Sequence, residues 1–305
     1  MKTAVVSFFL ALFAVTTLYA QQTVVQNKDL DRFVSVNISG KFTFKLKNSP
    51  SYSVRILSDE RIVDYVRPVV KNGIFSVTLD EKKYSPELKK ELKAKGVADP
   101  ILEIEIYAPY IQSLSLKEKA VLTDSDDIHV DNFTLNVAGG AKVGRLSLDC
   151  VSASLDFAGS SQSNIIADID TKLNINTENS ASANIAQKGG NALVRSKGAS
   201  TLNLNMDGVE VDVESYSSSR VYISGTASML EVEASGNSMI DAEALEVREG
   251  NFIQSGQSKC HVNVAERIKV NLTGGCMLTF KRKPVIEVDR IVNSTLIKAD
   301  DPKRK

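Results

Sequence analysis

Arg195, Glu214 and Glu233 stand 19 residues apart, in the stretches "LVRSK", "VDVES" and "EVEAS". A guanidinium in line with carboxylates is the kind of set with which polysaccharide lyases and hydrolases work. One carboxyl group gives up a proton to the leaving oxygen, another attacks or takes a proton, and the cation holds an anionic sugar. Asp156, Glu231 and Arg220 are candidates for the same face. The plainer reading is a solvated face whose opposite charges pair with one another, and it is the reading preferred here. No catalytic residue is assigned. If an outer ligand site exists, the exposed ladder Arg195, Glu214, Glu233 is the candidate.

Other chemistry is scarce. His129 and His261 are the only histidines, and no His, Cys or carboxylate group has zinc-ligand spacing. There is no phosphate-cradling loop, dinucleotide fingerprint or calcium loop. Cys260 precedes His261 directly, and neighbours on a strand face opposite ways. A core thiol and a surface imidazole are expected. No metal and no cofactor is expected.

The elements that carry these residues follow from a repeat. Small polar phrases recur: "AGGAKV", "AGSSQS", "ENSASA", "KGASTL", "SSSRVY", "ASGNSM", "QSGQSK" and "TGGCML". With Gly139, Gly159, Asn179, Gly198, Ser217, Gly236, Gly256 and Gly274 as position zero, the steps are 20, 20, 19, 19, 19, 20 and 18. Four residues earlier every column member is apolar, from Leu135 to Val270; two residues later every member is small, from Ala141 to Cys276. Position minus three is mostly polar. Alternation of period two is a strand with one buried face, and a steady period near 19 is a stacked repeat. Each coil then lays its strands parallel to those of the last, about 4.8 Å away. The fold class is all-β: a single-chain parallel β-helix, or β-solenoid, of about 19-residue coils. "STLNLNMDGVEVDVES" reads locally as a hairpin but belongs to one coil with a corner. Parity places positions zero and plus two on the inward side, so the small phrase is a pinch, and a large residue at plus two should not fit. Cys260 and Cys276 fall in neighbouring coils offset by two residues, which puts their Cα atoms roughly 8 Å apart. A disulfide wants less than about 7 Å, so free buried thiols are expected.

Four segments are expected. Residues 1–20 are a signal peptide, with Lys2 before the apolar run "AVVSFFLALFAVTTL" and a cleavage site after Ala20. Residues 21–112 hold the first coils and a capping excursion, irregular from 48 on, with a short charged helix in "SPELKKELKAKG" laid over the end strand. Residues 113–290 are regular coils, and 291–305 a closing segment and charged tail. No later stretch is long and apolar enough to span a bilayer, so the mature chain has no transmembrane span. The chain carries 37 basic and 37 acidic residues, so no net field draws it to nucleic acid. Tryptophan is absent and aromatics are 6%, which weighs against a long sugar-stacking groove.

The opening "DRFVSVNISGKFTFKLKNSPSYSVRI", the middle "PILEIEIYAPYIQSLSLKEKAVL" and coils such as "VEASGNSMIDAEAL" resemble the auto-transporter adhesin, head GIN domain family of secreted Gram-negative proteins. The resemblance covers nearly the whole mature chain, although no Gly-Ile-Asn tripeptide occurs. It implies a β-helix at the cell envelope with an adhesive role, and it carries over no catalytic residue. The function expected is that of a non-enzymatic exported cell-envelope protein, an adhesin or a binding or structural module presenting a rigid β-helix surface. Its place would be the periplasm, the outer cell surface or the extracellular space. Its partner would be a protein or glycan at the cell surface, or another copy of itself. The alternative is a polysaccharide-active β-helix enzyme with a carboxylate-lined outer face.

Overall fold

The computed structural model describes residues 22–299; the expected signal peptide and the last six residues lie outside the described residues. It is a β-solenoid of about ten turns, 67% strand, with one α-helix. Each regular coil supplies two strands that meet at the small phrase. Asn191–Ser196 runs into the corner at Gly198 and Thr201–Asp207 runs out of it. Above and below they pair in parallel with their counterparts, Val194 against Val213 and Leu202 against Val221. Thr201–Asp207 and Glu210–Ser215 pair with neighbouring coils and not with each other, so the local hairpin is overridden by the stack.

The corner residues sort differently from simple parity. All eight plus-two residues are buried, Ala141, Ser161, Ala181, Ser200, Ser219, Ser238, Ser258 and Cys276. Position zero is not inward: it is exposed or half-exposed. The reason is conformational. Every position-zero residue has positive φ, from 62° at Asn179 to 84° at Gly274. The left-handed residue makes an outward corner: the apex points out, and inward positions resume two residues either side of it. Glycine suits this column because the apices stack on one another: a Cβ on Gly159 would lie 2.8 Å from the Gly139 carbonyl oxygen.

Inside the corner, the minus-two and plus-two columns meet. In the middle coils they form a buried hydroxyl spine. Thr177 Oγ1 lies 2.8 Å from Ser196 Oγ and donates to Ser200 Oγ at 3.1 Å. Ser200 donates to the Lys197 carbonyl at 2.8 Å, and Ser219 repeats this with Tyr216 at 2.9 Å. The rest of the interior is one apolar core running from Phe33 to Phe280. Cys150, Cys260 and Cys276 are buried free thiols in it. Cys260 faces Leu278 rather than Cys276, the two-residue offset that keeps the sulfurs unbridged.

At the N-terminal end, coil order and chain order part. Ser35–Ser39 pairs with Ile74–Leu79 on one side and Ser113–Lys117 on the other. Thr43–Asn48 likewise lies between Leu102–Ala108 and Val121–Ser125. The coil around Gly40 is therefore sandwiched between two later ones. The end strands are covered by antiparallel neighbours: Val66–Lys71 on Ile74–Leu79, Ser53–Asp59 on Leu102–Ala108, and Thr23–Asp29 on Ser53–Asp59. The charged helix expected to lie over the end strand is Pro86–Leu92, capped by Ser85, whose hydroxyl accepts from the Leu88 N–H at 3.1 Å. It instead sits in the connection between two end strands, with Leu88 and Leu92 against the core and Glu91 paired to Arg61 at 3.0 Å.

At the other end, Val285–Val292 and Thr295–Lys298 add one more coil, with Asn293 as its left-handed apex at φ 52°. Val285–Val292 pairs only with the preceding coil, and all eight of its residues are exposed.

Candidate functional site

The small-phrase corner separates two outer faces. On the strand that enters the corner, Arg195, Glu214 and Glu233 occupy consecutive rungs, as their spacing requires. Arg195 grips Glu214 with two contacts, Nε to Oε2 and Nη2 to Oε1, both 3.1 Å. Glu233 accepts from the Tyr216 hydroxyl at 3.3 Å. Asp156 lies further along the same column, held by Asn176 Nδ2 at 2.6 Å. Glu231 and Asp212 form the adjacent column. Arg220 stands across the corner, on a rung with Thr201 and Met239, and does not join them. Burial, then Glu214 and Glu231, push the Asp212 carboxyl above the usual aspartate range. The hydrogen bond that Arg195 donates to Glu214 holds the guanidinium firmly charged. This face is a paired ladder with one disfavoured carboxylate at its centre. His129 is exposed and bonded to Asp149 at 2.9 Å, and His261 is half-buried on the surface, apart from the Cys260 thiol beneath.

The concave feature lies on the other face, on the strands that leave the corner. It is an open groove of about 500 Å³, and none of the six charged candidates lines it. Its axis is the plus-five column, where Asn164, Asn184, Asn203, Tyr222 and Asp241 lie on consecutive rungs. The carboxamides form a chain: Asn203 Nδ2 donates to Asn184 Oδ1 at 2.8 Å, Asn184 Nδ2 to Asn164 Oδ1 at 2.9 Å, and Asn164 Nδ2 to the Gly144 carbonyl at 3.2 Å. Beside it run Ile166, Ala186, Asn205 and Ser224, with Ile166 52% exposed. The pairing shifts register at both ends of the groove, between Val143 and Leu146 and between Tyr222 and Ser224. The coils between the shifts stack regularly, so the irregular coils form the rims. From the rung of Arg145 to that of Asp241 the groove spans five steps, roughly 24 Å. The plus-five column was readable at the same period as the others. It went unnoticed because its members are ordinary polar residues that announce no chemistry one at a time.

A regular parallel solenoid with paired outer charges and an open amide-lined groove is, as a class, a β-helical binding scaffold. This chain belongs to the family described as "Putative auto-transporter adhesin, head GIN domain", whose model matches residues 32–172 and again 164–284. Comparison with solved structures finds distant likenesses. A "putative adhesin" from Parabacteroides merdae is 15% identical with a TM-score of 0.47, covering 92% of this chain and 98% of that one. A "putative adhesin" from Parabacteroides distasonis is 15% identical with a TM-score of 0.46, with the same coverage. A "putative lipid binding protein" from Parabacteroides distasonis is 14% identical with a TM-score of 0.44, also with that coverage. No curated protein matches this chain.

Proposed function

We propose that the protein is a non-enzymatic, exported cell-envelope binding protein that holds an extended glycan along its amide ladder. The observation that carries this is the groove. A carboxamide has two N–H donors, and each rung spends one on the rung before it. The second remains for a ligand on each of Asn164, Asn184 and Asn203, about 4.8 Å apart. A chain of sugar rings offers a hydroxyl at a comparable repeat, and its C–H faces suit the apolar strip of Ile166 and Ala186. Tyr222 supplies an aromatic edge and a hydroxyl at one end of the ladder. Surface exposure of the chain would make such a protein an adhesin. The test is binding of the purified protein to a panel of immobilised oligosaccharides, with Tyr222→Ala and Asn184→Asp as groove variants. Binding that both variants weaken at least tenfold supports the reading. Binding that neither changes, or none at all, overturns it.

A second reading, cleavage of a polysaccharide on the charged face, is favoured by Asp212. A carboxyl kept protonated to higher pH beside the Arg195-paired Glu214 carboxylate group has the form of an acid–base pair. Release of new reducing ends or unsaturated ends, abolished in Asp212→Asn, would support it.

A further inference from the structure

The two ends of the solenoid are finished differently. The N-terminal edge strand Val66–Lys71 contains Pro68 and Lys71, residue types by which sheets refuse a further strand. The C-terminal edge strand Val285–Val292, "VIEVDRIV", contains neither proline nor lysine. Its outer row of backbone N–H and C=O groups has no strand partner among the described residues, and Val285 and Val288 are 66% and 54% exposed. An open edge of this length, apolar at five of its eight positions, is a template for pairing.

We infer that this edge pairs antiparallel with the same edge of a second copy, closing the solenoid head to head. The argument is the register. Ile286, Val288 and Ile291 stack on Ile268, Val270 and Leu272, all fully buried, and so continue the inward face. Val285, Glu287, Arg290 and Val292 stack on Arg267, Lys269, Asn271 and Thr273 and continue the outward face. Asp289 is the extra residue at the register shift between them. In a regular strand, a twofold axis between residues 288 and 289 would set inward residues against outward ones. The bulge reverses the parity at that point. Ile286 then meets Ile291 on the inner face, while Val285 meets Val292 and Glu287 meets Arg290 on the outer, each pair occurring twice. Arg290 has no carboxylate partner among the described residues, and Glu287 has only Arg267 at 3.7 Å. The second copy supplies the missing opposite charge. Because one surface meets itself, the assembly closes at two, whereas addition to the N-terminal edge of another copy would build an open filament.

The pairing is independent of the groove, which lies several coils away, and its test reads mass alone. Sedimentation of the purified protein is expected to give a dimer whose fraction rises with concentration in the micromolar range. Glu287→Arg places arginine against arginine twice and is expected to raise the dissociation constant about tenfold or more. Arg290→Glu, which breaks no ion pair among the described residues, should do the same. The double exchange Glu287→Arg with Arg290→Glu should restore the dimer. A monomer throughout, a filament, a dimer indifferent to both single changes, or a double variant as weak as the singles would each overturn the inference.

Discussion

Ser200→Leu tests the interior of the corner. Ser200 is fully buried, between Ala181 and Ser219 on the adjacent coils. Its hydroxyl lies 3.0 Å from Ser196 Oγ, accepts from Thr177 Oγ1 at 3.1 Å and donates to the Lys197 carbonyl at 2.8 Å. Removing the hydroxyl costs these bonds, but Thr177 and Ser196 keep their own contact at 2.8 Å, so only the Lys197 carbonyl is left short. That puts Ser200→Ala at about 1–2 kcal/mol. Leucine adds three carbons where the coils above and below sit about 4.8 Å away. Overpacking then adds about 1–3 kcal/mol, giving a total of about 2–5 kcal/mol. The assay is the urea midpoint at unchanged slope, with amide exchange over Thr201–Asp207 to localise the loss, because a solenoid can open coil by coil. A leucine variant with the parent midpoint would refute the inward pinch. An alanine variant as damaged as the leucine one would mean that hydrogen bonding, not volume, sets the column.

Three further outcomes are expected. Gly225 has φ 108°, and a Cβ there would lie 1.9 Å from the Met206 carbonyl oxygen, so Gly225→Ala should cost about 3 kcal/mol or more; a melting temperature within a degree or two of the parent would contradict this. Burial pushes the Cys150 thiol up to about 11 and that of Cys260 higher still. Since the thiolate is the reactive form, and Cys276 is shielded by burial alone, a thiol reagent at neutral pH should label none of the three cysteines when folded and all three in denaturant. Asp212 titrates above its unfolded value, so its ionised form costs stability at neutral pH, and the cost disappears as the pH falls through the carboxylate range. Asp212→Asn should therefore stabilise the protein at neutral pH with a gain that shrinks on acidification; a pH-independent gain would remove charge as the cause.

The stack was legible in the sequence because its rules act at fixed intervals. Leu135 through Val270 mark one inward column, Ala141 through Cys276 another, and the period alone placed Arg195, Glu214 and Glu233 on consecutive rungs. Position zero was misplaced because parity counts residues and knows nothing of φ; a left-handed residue there turns the apex out. The groove was missed for a related reason. Asn164, Asn184 and Asn203 become a ladder only when stacked, and the rims depend on register shifts that leave no mark in composition. The N-terminal end was the least legible. Strand patterns in "SYSVRILSD" and "ILEIEIYAPY" identify strands but not direction, and the two pair antiparallel, outside the period that orders the later coils.

The coil around Gly40 has a consequence for the order of assembly. It is made first on the ribosome, yet its neighbours on either side come from residues 74–108 and 113–125. Until the chain has grown past that point, the segment has nothing to lie between, and its apolar side chains stay exposed. Growth by simple addition from the first coil is therefore closed to this protein. The coils beyond residue 125 have only sequential neighbours and can zip locally, while the amino-terminal end must wait for a contact made at long sequence separation. A nascent or translocating chain would thus seal its beginning after its middle has begun to form. For that interval the first coil would be a client for whatever holds unfolded segments apart.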